Sequence, residues 1–149
     1  MAIRNTVKLK KYLDIVEEFQ RGPSEIKPGH LVDINSDGKA IPHGTADGNA
    51  LAMFALEDEL QGNTVNDAYA EEDDPVQVWV PNRGEIVYAI VADAEEPAVG
   101  DYVSSNGDGA LKTYGSPATA DDNNVIVGQV IESKNTEDYD DHRVKVRIL

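Results

Sequence analysis

Apolar residues alternate with polar ones in several short stretches of the chain. Val76, Val78 and Val80 are separated by Gln77 and Trp79, a period of two that predicts a strand with one buried face. Ile86-Val87-Tyr88-Ala89-Ile90-Val91 predicts a second strand. Between them stands Pro81-Asn82-Arg83-Gly84, where proline presets φ and glycine closes the bend, so the pair is expected to form a hairpin. Val125 to Ile131 predicts another strand, with Gly128 marking a bulge or a close approach of backbone. The segment Arg143-Val144-Lys145-Val146-Arg147-Ile148 alternates strictly and should bury its apolar side. Two segments read differently. Leu9, Tyr12, Leu13, Val16 and Phe19 fit a helical stripe, while Val7, Leu9, Leu13, Ile15 and Phe19 fit a strand nearly as well. Asn63 to Asp74 has too few apolar residues to pack and reads as an exposed acidic loop.

The chain also echoes itself at an offset of 71 residues. Lys27-Pro28-Gly29-His30-Leu31-Val32 aligns with Ala98-Val99-Gly100-Asp101-Tyr102-Val103, and Ser36-Asp37-Gly38 with Gly107-Asp108-Gly109. Each copy has a glycine turn feeding a strand, then an Asp-Gly turn that reverses it. Glycine allows the positive φ such reversals need, and aspartate bonds its own turn backbone. An apolar run follows in each copy, Leu51–Leu56 and Val125–Ile131. Short strands and frequent turns predict an all-β chain with a barrel-like or sandwich core.

Length and charge narrow the reading. The 149 residues suit one domain with an arm: residues 1–20 as a basic arm with a first strand or short helix, residues 21–149 as a barrel-like β domain. The absence of cysteine excludes a disulfide framework, a zinc ribbon and a thiol nucleophile. No apolar stretch approaches the ~18–20 residues of a membrane span, so a soluble protein with no membrane partner is expected. A net charge of −15 argues against nucleic acid. That charge is uneven: residues 46–141 hold 22 acids and only Arg83, Lys112 and Lys134 as bases. The first eleven residues carry Arg4, Lys8, Lys10 and Lys11 and no acid, the composition of a docking arm.

Reactive chemistry is nearly absent from the pattern. Asp33-Ile34-Asn35-Ser36-Asp37-Gly38 opens like a calcium loop, but Gly44 stands where the bidentate glutamate would be, so a hairpin turn is expected. His30, His43 and His142 show no metal-ligand spacing and read as surface or capping residues. With 28 carboxylates, a chance acid pair carries no information. Ser104 and Ser105 lack the glycines of a nucleophile elbow, and no phosphate-cradling loop follows the glycines around residue 107. No catalytic, cofactor or metal site is predicted. Trp79 is an interface candidate if Val76, Val78 and Val80 face inward, and a core residue if they do not.

A longer resemblance runs from Ile26 to Gly109. Ile26-Lys27-Pro28-Gly29-His30-Leu31-Val32, then Pro42-His43-Gly44-Thr45-Ala46-Asp47-Gly48-Asn49-Ala50, then Phe54 to Gly62, Val65 to Ala70 and Val76 to Ala89 follow in order. With Val99 to Gly109 closing the series, these segments resemble the capsid decoration (cement) proteins of tailed bacteriophages and related head-tailed viruses. The resemblance implies a small tulip-like β domain with an extended N-terminal arm, assembling as a homotrimer. It implies a virion protein on the outer capsid surface that bridges neighbouring major capsid proteins, with no reaction and no cofactor. Arg4, Lys8, Lys10 and Lys11 are then the expected capsid contacts. Two rivals stand beside it. A carbohydrate-binding or adhesive β module would need aromatic platforms, for which only Trp79 and scattered tyrosines offer themselves. A small hydrolase or lyase would need clustered catalytic groups.

Overall fold

Alternating apolar positions and glycine turns build short strands joined by turns and loops. The computed structural model describes residues 14–115, 125–133 and 142–149. Its strands are β1 Val16–Gln20, β2 Val32–Ile34, β3 Ala40–Pro42, β4 Phe54–Ala55 and β5 Pro75–Trp79, followed by β6 Ile86–Ile90, β7 Tyr102–Ser105, β8 Leu111–Thr113, β9 Gly128–Glu132 and β10 Arg143–Ile148. A single 3₁₀ turn, Glu59–Gln61, is the only helical element among the described residues. The all-β class expected from the sequence is the class observed. The strands form antiparallel sheets in the orders β1-β5-β4, β2-β3 and β6-β10-β9-β7-β8.

The echo in the sequence is a duplication of the whole fold. Strands β1–β5 form one unit and β6–β10 the other, with the same pairings in each. Val16 pairs with Trp79 and Trp79 with Phe54, whose other neighbour is Leu31. In the second unit Ile86 pairs with Arg147, Arg147 with Gln129, and Gln129 with Tyr102. The loop bonds repeat as well. The His30 N–H donates to Lys27 C=O and the Asp101 N–H to Ala98 C=O, both at 3.0 Å. Both turns place glycine at positive φ, +94° at Gly29 and +95° at Gly100, where a side chain would be strained.

No ladder closes into a barrel among the described residues. Single parallel bridges, Arg21 to Ala40 and Val91 to Leu111, instead bring the last strand of each unit's series back beside its first. Each unit is therefore curled, and apolar side chains fill the curl. Val32, Ala40, Ala55, Val76 and Val78 line the first with Ile26, Met53 and Tyr69. Val87, Val103, Leu111, Val130, Val144 and Val146 line the second. Leu31, Phe54 and Trp79, on the outer side of the first unit, pack onto this second core and join the two units.

Three local expectations change. The hairpin between residues 76 and 91 does not form, although its turn does: the Glu85 N–H donates to Asn82 C=O at 3.0 Å. Both edges of β5 are occupied by β1 and β4, and β6 pairs with β10, so residues 80–85 connect two units. The segment 63–74 is not wholly an exposed loop. Tyr69 is buried, its N–H donates to Ile26 C=O at 2.8 Å, and its hydroxyl donates to Leu56 C=O at 2.6 Å. Arg143, on the polar side of its alternation, is buried, and its guanidinium donates to Pro28 C=O and Val65 C=O at 2.9 and 2.7 Å.

Two further local readings match the structure. Val144, Val146 and Ile148 are buried while Lys145 and Arg147 are exposed. Gly128 is a close approach, since any Cβ there would meet Val146 and the Arg147 carbonyl. A register shift opposite Ile131 adds a bulge in β9 three residues on. Of the ambiguous segment 8–20, residues 16–20 are a strand, and residues 1–13 lie outside the described residues.

Candidate interaction surface

Polar groups are brought together first at the seam between the two units. His43 from the first unit is buried, with Nδ1 2.6 Å from Ser105 Oγ and Nε2 2.9 Å from Asn49 C=O. A carbonyl opposite Nε2 requires the proton there, so Nδ1 accepts from the Ser105 hydroxyl. Asp47 accepts from Ser104 Oγ at 2.7 Å and pairs with Lys112 Nζ at 2.7 Å. Burial works against the charged form of Asp47. Hydrogen bonds from Lys112 and Ser104, with the Lys112 charge, outweigh it and hold the carboxyl below its ordinary value.

A histidine accepting from a serine is the geometry of a base and its nucleophile. Here His43 and Ser105 are 2% and 0% exposed, so no substrate reaches them, and the pair fastens one unit to the other. Sequence reasoning expected His43 to be a surface or capping residue. Only the structure shows that its partner comes from 62 residues away. His30 does cap a turn, with Nδ1 accepting from the Lys27 N–H at 3.1 Å. The calcium-like segment is a hairpin turn: Asn35 Oδ1 accepts from the Asp37 and Lys39 N–H groups at 3.0 and 2.9 Å. Among the described residues no three His, Asp or Glu side chains converge on a metal position. No described helix is long and apolar enough to cross a membrane.

The outer surface carries more information than the interior. Val76 and Val78 face inward and are fully buried, which places Trp79 on the outer side of β5, half-buried. It forms part of a groove of about 580 Å³ with Val16, Leu56 and Leu60. Asp14, Glu57, Glu59 and Glu85 rim that groove. The other expected contacts, Arg4, Lys8, Lys10 and Lys11, lie outside the described residues. A second feature escaped the sequence reading. The outer face of the β6-β10-β9-β7 sheet presents Ile86, Tyr88 and Tyr102 beside Lys145 and Arg147, all of them exposed. The strict alternation of β10 was the available signal for it.

The seam between the units thus carries apolar and polar contacts, and the outer surface offers an acidic groove and an aromatic, basic face. The sequence model of the XM1 gp53 minor capsid protein family matches residues 5–148. The chain belongs to that family. It is thus a phage capsid-associated protein with a structural role in the virion. A solved structure with a similar fold is that of the head fiber gp8.5 N base in bacteriophage phi29. The two superpose with a TM-score of 0.55 over 91% of this chain and 95% of that one, at 16% sequence identity. At that identity the likeness concerns the fold alone. No curated protein matches the chain.

Proposed function

We propose that this minor capsid protein binds the outside of an assembled icosahedral head and stabilises it by bridging neighbouring major capsid proteins. The observation that carries this reading is the family match over nearly the whole chain. The role is mechanical and includes no reaction or cofactor. A protein that binds only the assembled shell stabilises that state by mass action. Self-association as a homotrimer would multiply each weak contact through effective concentration.

Arg4, Lys8, Lys10 and Lys11 are proposed as the salt-sensitive part of the attachment, since they form the one acid-free stretch at the start of an otherwise acidic chain. Trp79 is proposed as an apolar interface anchor. The test is co-sedimentation of the full-length chain with empty heads of its own phage. Wild type should pellet with the heads, and a chain lacking residues 1–11 should bind more weakly and with a shallower salt dependence. Unchanged affinity and salt response in that truncation would remove the arm from the account.

A further inference from the structure

The duplication gives the outer surface of each unit a direct comparison. In the first unit the row Val16, Trp79, Phe54 and Leu31 crosses the outer side of the sheet, and the second unit covers it from Leu31 outward to Trp79. The corresponding row in the second unit is Ile86, Arg147, Gln129 and Tyr102, and no core cluster among the described residues covers it. Ile86 and Tyr102 are 46% and 44% exposed, and Tyr88, on the next row beside Lys145, is 41% exposed. Aromatic, aliphatic and arginine side chains together are the composition of an interface centre rather than of a solvated face. The Arg147 side chain, unlike its backbone, has no hydrogen-bond or ion-pair partner among the described residues. Lys145 is held by Glu132 at 2.7 Å.

We infer that this face docks onto the acidic groove around Trp79 of a second copy of the same chain. Charge selects the occupant. A chain of net charge −15 repels its own copies in most orientations. The approach that sets Lys145 and Arg147 against the Asp14, Glu57, Glu59 and Glu85 rim reverses that sign. Apolar groups meet on both sides of the contact: Ile86, Tyr88 and Tyr102 from one copy, Trp79, Leu56 and Leu60 from the other. The groove and the face adjoin where Glu85 leads into Ile86, so each copy carries both halves of the contact. The inference builds on the self-association in the reading above and gives it a surface.

Charge-swapped partners test it, with full-length protein and no heads present. One variant carries K145E and R147E, the other E57K, E59K and E85K, all at positions outside the two cores. Wild type should show a mass above the 16.2 kDa of one chain by light scattering. Each variant alone should associate at least tenfold more weakly, while a mixture of the two should recover association. Trp79 is the sole tryptophan and lines the groove, so its emission should shift when the two variants are mixed. Wild type at monomer mass, or association of either variant as tight as wild type, would overturn the inference. A mixture that stays monomeric would overturn it as well. Those results leave head binding untouched, because that is read separately by co-sedimentation.

Discussion

At the residue scale, the buried polar groups decide how the chain responds to pH and to truncation. The Tyr69 hydroxyl donates to Leu56 C=O at 2.6 Å and accepts from the Gln77 N–H at 3.3 Å. Burial pushes its ionisation from 10.0 up to about 12. Its raised value means that the stabilisation is whole below pH 10 and is lost as pH rises toward 12. Y69F, which leaves both backbone partners unsatisfied, should cost about 1–3 kcal/mol in denaturant melts at pH 7. It should also flatten the alkaline limb of stability against pH. A Y69F melt that overlays wild type across that range would contradict this. Asp47 works in the opposite sense. Its carboxyl lies below its ordinary 3.8, so its contribution is present above that value and fades as pH falls through the folded one. Removing its partner with K112M should destabilise the seam by about 3 kcal/mol, because a mostly buried carboxylate loses its counter-charge. The double replacement D47N with K112M should cost less than K112M alone, and equal losses would show that the pair is not coupled.

At the element scale, local chemistry is legible and partnership is not. The alternation at residues 76–80 and 143–148 identified strands because side chains on a strand must choose between core and solvent, and the short apolar runs at 86–91 and 125–131 identified two more. The glycine turns at 29 and 100 were legible for the same local reason. The Pro81-Asn82-Arg83-Gly84 bend was legible too, but a turn does not say which strands pair. β5 and β6 sit next to each other in sequence, yet β10, far along the chain, offers β6 the matching register from Arg143 to Arg147. His43, Arg143 and Tyr69 were unreadable as interior groups because each is satisfied by a residue distant in sequence. At Gly128 the sequence did state a packing constraint. G128A places a methyl group against Val146 and the Arg147 carbonyl. It should lower stability by about 1–3 kcal/mol, with weakened amide protection in β9 and β10 as the readout.

At the scale of the whole molecule, the duplicated fold explains how one chain can present unlike surfaces. Two copies of one architecture stack so that the first loses its outer row to the second, while the second keeps its own in the open. The offset of 71 residues pointed to a duplication, and the common pairing of β1–β5 and β6–β10 shows it; how the two units stack was not legible. Which face meets the head was not legible, because an exposed strand face looks the same whether water or protein lies against it. The central claim is that the chain grips an assembled head. The direct test is the amount of full-length protein that co-sediments with empty heads, titrated to saturation and read beside the heads' thermal stability. The account predicts saturable binding at a fixed number of copies per head, with the shell melting at a higher temperature once filled. Protein left in the supernatant at every concentration, or bound protein that leaves the shell's melting unchanged, would contradict it.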